Sequence, residues 1–306
     1  MGFFKKSSNQ DYDLWSSHAW YVPGVGGMFM LLVMLLVGAL IANLVSAVFI
    51  MAMGEDAGME WGTLIAYVLM FIPPLIYARH CSMRNAMFEE GYALDSNNFA
   101  PKNGWLLALL CMIATFALGF CMDLINSQLP PMPEWLEEAL SSMTSGNFLM
   151  NFLSVSIFAP LLEEWLCRGM VLRGLLNHKK QDGTYMKPLW AIVISALFFA
   201  FIHMNPWQGI PAFALGCLFG YVYWKTGSLK LTMLMHFTNN TLALCMGQFW
   251  PELADMDSWL DVLSGWQYAI GFVICAAFMV LFVMVFRKVR LLRNQGNSDV
   301  IPVERG

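Results

Sequence analysis

Three ionisable side chains lie close together in a segment that is otherwise almost entirely apolar. The segment is Phe148–Leu172, and the three residues are Glu163, Glu164 and Arg168. An ionised side chain near the centre of a membrane helix costs roughly 2.5–3.5 kcal/mol on insertion scales. Three of them within about two helical turns must be compensated by partners, by water or by function, so we interpret the cluster as a candidate functional site.

The order of these residues predicts different roles for the two glutamates. Glu164 precedes Arg168 by four residues, which is the favourable arrangement for an ion pair on a helix. Adjacent residues diverge by about 100° around a helix of 3.6 residues per turn, so Glu163 points elsewhere. We therefore expect Glu164 to pair with Arg168 and Glu163 to face a cavity, where a carboxylate can act as a general base.

Two further apolar segments supply polar partners for this cluster. Phe199 and His203 share one helix face because they are four residues apart. His236 and Asn240 share another for the same reason. We hypothesise that Glu163 and His203 hold and deprotonate a water molecule. His236 and Asn240 would then donate hydrogen bonds to the oxyanion that forms when this water attacks a peptide carbonyl, so the chemistry inferred is amide hydrolysis.

These motifs resemble those of the CaaX prenyl-protease and bacteriocin-processing family (CPBP, or Abi) of intramembrane endopeptidases. The family shows EExxxR, FxxxH and HxxxN on successive core helices, and all three occur here in that order: Glu163-Glu164…Arg168, Phe199…His203 and His236…Asn240. The resemblance covers roughly residues 147–247. It implies that the first glutamate and the first histidine activate water, and that the second histidine and the asparagine form the oxyanion hole. It also implies a membrane-associated peptide or protein substrate, either CaaX-type or bacteriocin-like.

A metal at the same residues remains an alternative. Glu163, His203 and His236 provide two histidines and one carboxylate, a set that can bind zinc with one position left for water. The HExxH string of zinc proteases is absent from the chain. The sequence therefore establishes no cofactor, and a divalent metal such as zinc stays a candidate.

Composition indicates the elements that must position these residues. Hydrophobic residues make up 58% of the chain and charged residues 12%, against about 25% charged residues in a typical soluble domain. Seven apolar segments approach or exceed the roughly 18–20 residues that span a bilayer, and an eighth is shorter. We predict an all-α polytopic membrane bundle of about eight transmembrane helices, with the catalytic core on the fourth to seventh. The segments are Val25–Met53, Trp61–Ala78, Trp105–Ile125, Phe148–Leu172, Pro188–His203, Trp207–Trp224, Leu229–Phe249 and Trp266–Phe286.

The same segments define three predicted parts of the chain. Residues 1–146 contain the first three transmembrane helices and their loops, residues 147–247 the catalytic core, and residues 248–306 the last helix and a basic tail. Within the first part, Pro73-Pro74 is expected to bend the second span. Residues 134–140 predict a short amphipathic helix at the membrane interface or, alternatively, a solvated linker.

Charge placement predicts the orientation. Apart from Arg168, every Lys and Arg falls on one side of the eight-span arrangement. The charged residues in the loops on the opposite side are all acidic. Basic loops stay on the cytoplasmic side, so both termini are expected there. The compact chain suggests a bacterial cytoplasmic membrane, with the endoplasmic reticulum as the alternative. The lipid bilayer is an expected partner and nucleic acid is not.

Two other function classes fit buried ionisable residues. A transporter or ion carrier uses buried acids and histidines as a proton relay, and a non-catalytic immunity or scaffold protein could keep the motifs without turnover. Hydrolysis additionally requires water at Glu163. We therefore predict a hydrated pocket around the turn His203–Pro206, which must dip below the outer surface of the membrane.

Overall fold

The computed structural model describes residues 21–85, 104–144, 146–177, 183–250 and 258–289, and these residues are mainly helical. Nine helices follow one another along the described chain: α1 Val25–Met53, α2 Glu55–Asn85, α3 Gly104–Asn126, α4 Glu134–Thr144, α5 Phe148–Asn177, α6 Pro188–Ile202, α7 Pro206–Thr226, α8 Leu229–Phe249 and α9 Gly265–Arg287. A single turn of 3₁₀-helix, Trp259–Asp261, precedes α9. The basic tail predicted after residue 289 lies outside the described residues.

Every segment predicted to cross the membrane is helical. Five of the described helices are long and apolar enough to span a bilayer, namely α1, α2, α3, α5 and α9, while α6 is apolar but shorter. Helices α7 and α8 each have 21 residues, but polar residues interrupt their apolar sequence. The chain is therefore a multi-pass helical membrane protein. The count of eight crossings stays a prediction.

Helices α1 and α2 form a tight hairpin. Gly54, in a conformation with φ of 85°, links the end of α1 directly to the start of α2. An added Cβ at Gly38 would lie 2.1 Å from the backbone oxygen of Met70, so the two helices meet backbone to backbone there. Pro74 has no N–H, and the Met70 carbonyl four residues earlier therefore lacks its usual helical partner. Glycine at position 38 lets α1 approach this carbonyl.

Two buried apolar clusters hold the bundle together. The first joins α1 and α2 to α5, with Phe71, Trp165 and Leu166 fully or almost fully buried. The second joins α3, α7, α8 and α9, with Phe219 and Phe282 in its interior. Helix α5 lies between its neighbours rather than at the edge of the bundle, because half of its most apolar stretch is buried inside the protein.

Residues 134–140, for which the sequence allows either an amphipathic helix or a linker, belong to helix α4. The segment is helical as far as Thr144, with Leu136 buried and Trp135 exposed, so it is an amphipathic helix rather than a linker. Its place at the membrane interface stays a prediction. The proline pair that is expected to bend the second span lies inside α2, which continues as one helix through Pro73 and Pro74.

Candidate active site

The glutamate pair lies on a helix that changes its winding on either side of them. Residues Phe152–Phe158 and Trp165–Leu172 of α5 are π-helical, whereas Ala159–Glu164 is α-helical. A π-helical turn contains an additional residue and displaces the backbone from the regular hydrogen-bond pattern. Such segments are frequent at functional sites, and here one lies on each side of the stretch that carries Glu163 and Glu164.

Side chains from neighbouring helices bind backbone oxygens in both π-helical segments. Asn240 of α8 donates from Nδ2 to the Val155 carbonyl at 2.9 Å. Ser195 of α6 donates from Oγ to the Cys167 carbonyl at 2.8 Å. Each segment is therefore tied to a different helix by one polar side chain, which stabilises the unusual winding in an apolar surrounding.

Glu164 and Arg168 form a fully buried ion pair. Arg168 Nη1 lies 2.8 Å from Glu164 Oε1, and neither side chain is exposed. Arg168 Nη2 donates to the backbone oxygen of Gly216 at 3.1 Å. The guanidinium also lies over the rings of Phe199 and Phe219, at 4.6 and 5.4 Å from their centroids. Ion pairing, hydrogen bonding and cation–π contact together compensate the buried charge.

His236 lies between the two glutamates. Its Nδ1 is 3.1 Å from Glu164 Oε1, and its Nε2 is 3.9 Å from Glu163 Oε2. Because an ionised carboxylate can only accept a hydrogen bond, His236 Nδ1 carries the proton in its contact with Glu164. The ring is thereby oriented by Glu164 and presents Nε2 to Glu163.

Glu163 has one oxygen bound and one oxygen free. Oε1 accepts a hydrogen bond from the hydroxyl of Tyr67 on α2. Oε2 is buried and has no hydrogen-bond partner among the described residues, and it is the oxygen that faces His236 Nε2. The Glu163 side chain is 13% exposed. A buried carboxylate oxygen without a donor is costly and marks a place where a reactant can bind.

His203 directly follows α6 and is half-buried. Its Nδ1 lies 2.8 Å from the Phe199 carbonyl, so Nδ1 donates and Nε2 keeps its lone pair. The rings of both His203 and His236 meet the Phe199 ring edge-on, at 4.9 and 5.5 Å between centroids. The next residue, Met204, is exposed and has a φ of 60°. Within the described part of the chain, His203 makes no ion pair with Glu163, and the histidine closest to Glu163 is His236.

Asn240 binds the backbone of α5 and its neighbour Asn239. Its Nδ2 donates to the Val155 carbonyl and its Oδ1 accepts from Asn239 at 3.1 Å. Its role as an oxyanion donor beside His236 stays a prediction. An amide nitrogen has two N–H groups, so one of them remains for a ligand.

A protein-family model matches the part of the chain that carries most of the site residues. Residues 145–242 match the family model described as Rce1-like, type II CAAX prenyl endopeptidase Rce1-like. This part of the chain is therefore similar to the Rce1-like family. The match supports a membrane protease of the CAAX type at the level of the family.

Two curated relatives resemble parts of the chain. The membrane-embedded CAAX protease MroQ of Staphylococcus aureus (strain USA300) is 31% identical over 99 residues, which are 32% of this chain and 39% of the relative. The UPF0177 protein YaiF of Lactococcus lactis subsp. lactis (strain IL1403) is 29% identical over 150 residues, 46% of this chain and 62% of the relative. The chain thus covers less than two thirds of either relative's length. No solved structure matches it significantly.

Two site residues escape the sequence reasoning. Ser195 lies within the Rce1-like segment, but one serine in an apolar helix gives no signal for a contact with a particular carbonyl. Tyr67 lies outside that segment, on α2. Tyrosines of membrane helices prefer the interfaces, so the position of Tyr67 away from both ends of Glu55–Asn85 is a signal that could have identified it.

The proposed metal ligands do not come together as a set of three. In the described ranges, no group of three or more His, Cys, Asp or Glu side chains is arranged to hold a metal ion. Glu163 Oε2 and His236 Nε2 face each other, but a zinc site of the expected type needs a third protein ligand. Zinc at Glu163, His203 and His236 therefore stays a prediction.

Proposed function

We propose that this Rce1-like protein is an intramembrane endopeptidase that hydrolyses a peptide bond of a membrane-associated substrate. The observation that carries this proposal is the 3.9 Å separation between Glu163 Oε2 and His236 Nε2. This distance is too long for a direct hydrogen bond, but one water molecule bound to both atoms would span it. A water held by a carboxylate and an imidazole is poised for general-base catalysis.

The charges of the site support a division of roles between the histidines. Nδ1 of His236 donates to Glu164, so donation from Nε2 as well requires the doubly protonated ring, which has a carboxyl group on either side. His236 then donates from Nε2, as an oxyanion donor does. His203 offers a lone pair on Nε2 because Nδ1 donates to Phe199, so it can accept a hydrogen bond from the water together with Glu163.

The proposed reaction proceeds in two steps. Glu163 Oε2 removes a proton from the water, whose oxygen bonds to the carbonyl carbon and forms a tetrahedral oxyanion. His236 and the remaining N–H of Asn240 donate to this oxyanion. Glu163 then returns the proton to the amide nitrogen, the C–N bond breaks, and a carboxylic acid and an amine leave.

We further propose the substrate class, the catalytic part and the location that the sequence predicts. The substrate is a membrane-associated peptide or protein, CaaX-type or bacteriocin-like, and the similar protein MroQ is named a CAAX protease. Residues 147–247 carry the motif residues, and Tyr67 joins them from outside that range. The protein lies in a bacterial cytoplasmic membrane with both termini in the cytoplasm. The endoplasmic reticulum is the alternative.

The test compares three proteins reconstituted in liposomes: the wild type, Glu163→Gln, and Glu137→Gln as a control on the exposed surface of α4. Each is incubated with a library of membrane-associated peptides, and the products are identified by mass spectrometry. We expect the wild type and Glu137→Gln to cleave the same bonds and Glu163→Gln to cleave none. Equal cleavage by Glu163→Gln and the wild type would contradict the mechanism, and uptake of peptides without cleavage would favour transport instead.

A further inference from the structure

Tyr67 contacts the reacting group of the site from a helix outside the Rce1-like segment. Its hydroxyl donates to Glu163 Oε1, whereas the family match begins only at residue 145. The ring is half-buried and packs against the apolar cluster that includes Leu162 and Leu166. Its centroid is 5.8 Å from that of Phe71, one helical turn further along α2. The hydrogen-bond partner of this phenol is therefore the proposed general base.

We propose that Tyr67 is a positioning residue, which fixes Glu163 so that Oε2 is directed at His236 and the water. This inference rests on the proposed function. A glutamate side chain rotates about several bonds, and holding it in one arrangement costs conformational entropy at the moment of reaction. Because the hydrogen bond from Tyr67 occupies Oε1, the other oxygen is turned toward the imidazole. The rotational freedom is thus removed before substrate binds.

The α1–α2 hairpin keeps Tyr67 in place. Three residues beyond it, the Met70 carbonyl meets Gly38 of α1 at backbone contact. Near the start of α2, Glu60 Oε1 accepts a hydrogen bond at 2.8 Å from the backbone N–H of Asn147, which is the N-cap of α5. Helix α2 is therefore fixed both to α1 and to the helix that carries Glu163. The first two helices contribute to the geometry of the site as well as to membrane anchoring.

Tyr67 also determines which oxygen exchanges the proton. The phenol keeps its proton throughout and donates it to Oε1, so the proton taken from water binds to Oε2. Oε2 is the oxygen on the His236 side, where the scissile amide must lie for His236 to stabilise the oxyanion. The same oxygen then delivers the proton to the leaving nitrogen.

The first test is Tyr67→Phe in the full chain, reconstituted in liposomes, with a cleaved peptide as substrate. We expect kcat to fall about tenfold, as for loss of one orienting hydrogen bond, and KM to change less than about twofold. Tyr221→Phe is the matched control, since the Tyr221 hydroxyl is buried and has no hydrogen-bond partner in the described part of the chain. Thermal unfolding checks that both variants are folded. A kcat within about twofold of the wild type for Tyr67→Phe would overturn the inference.

A second measurement does not depend on activity. The infrared carboxyl bands of Glu163 are assigned by their loss in Glu163→Gln and compared between the wild type, Tyr67→Phe and Tyr221→Phe. We expect these bands to shift in Tyr67→Phe alone, because that variant lacks the phenol donor. If the wild type cleaves no peptide, the proposed function fails while a band shift still supports the contact. Unshifted bands in Tyr67→Phe would overturn the positioning role whatever the protein hydrolyses.

Discussion

Helices α5 and α9 are both long and apolar enough to cross a membrane, but they have different surroundings. In their most apolar stretches, 50% of α5 is buried inside the protein and 11% of α9. Helix α5 carries Glu163, Glu164 and Arg168 within this buried environment. Helix α9 carries no charged residue before Arg287 at its end. Hydropathy alone identifies both as spans, whereas charge is accommodated where protein side chains surround the helix.

The two helices also differ in their winding, since the more buried helix α5 is the irregular one. Helix α9 is a regular α-helix from Gly265 to Arg287, while α5 contains two π-helical segments whose carbonyls bind Asn240 and Ser195. Irregular backbone within a membrane is tolerated where other protein groups satisfy it. Neighbouring helices therefore permit both the charges and the winding of α5. Substitutions at matched positions, one surrounded by protein and one exposed, are expected to differ accordingly.

The largest effect is expected from Arg168→Met. This substitution removes Arg168 from the fully buried Glu164 and leaves that carboxylate only its contact with His236, so we expect the free energy of unfolding to fall by about 3–5 kcal/mol. Arg287→Met, at the exposed end of α9, should change it by less than about 0.5 kcal/mol. Denaturant unfolding in mixed micelles measures both. Similar values for the two variants would mean that α5 is no better surrounded by protein than α9.

A smaller effect is expected from Gly38→Ala. Its Cβ would meet the Met70 carbonyl at 2.1 Å, so α1 and α2 must separate, at a cost of about 1–3 kcal/mol. Gly119→Ala in α3 is the control, since nothing lies within 4 Å of its added Cβ and alanine favours a helix. The same unfolding measurement should show destabilisation for Gly38→Ala alone. Equal stability of the two variants would argue against a backbone contact in the hairpin.

The sequence predicts what depends on nearby residues. The Glu164–Arg168 pair follows from a spacing of four, and α1 and α8 have the predicted bounds. The contact between Tyr67 and Glu163 joins residues 96 positions apart, so local spacing carries no information about it. The π-helical segments of α5 escape prediction for a related reason, since they depend on side chains that other helices supply. The roles of the motif residues in hydrolysis stay predictions.

An effect of about 1 kcal/mol is expected from Ser195→Ala. The Cys167 carbonyl loses its side-chain donor in a fully buried π-helical segment, and a typical hydrogen bond contributes about this much. Ser141→Ala on exposed α4 serves as the control, where water replaces the lost bond. Hydrogen exchange of the α5 amides should accelerate in Ser195→Ala alone. Unchanged exchange in both variants would mean that the π-helical winding needs no support from α6.

The smallest effect is expected from Val280→Ala in α9. Its side chain is 62% exposed on the outer face of the bundle, so we expect a stability change within about 0.5 kcal/mol and no change in hydrolysis. Unfolding and cleavage are measured on the same preparation. A loss larger than that of Ser195→Ala would show that this face of α9 packs against protein rather than lipid.

The most direct test of the central claim is a double-mutant cycle on Glu163 and His236. The claim is that these side chains, from separate helices, act as one unit on a shared water. The rates of peptide hydrolysis are measured for the wild type, Glu163→Gln, His236→Gln and the double variant. Since residues that act as a unit have non-additive effects, we predict that the double variant is about as slow as the slower single variant. Rate losses that multiply in the double variant would contradict the account.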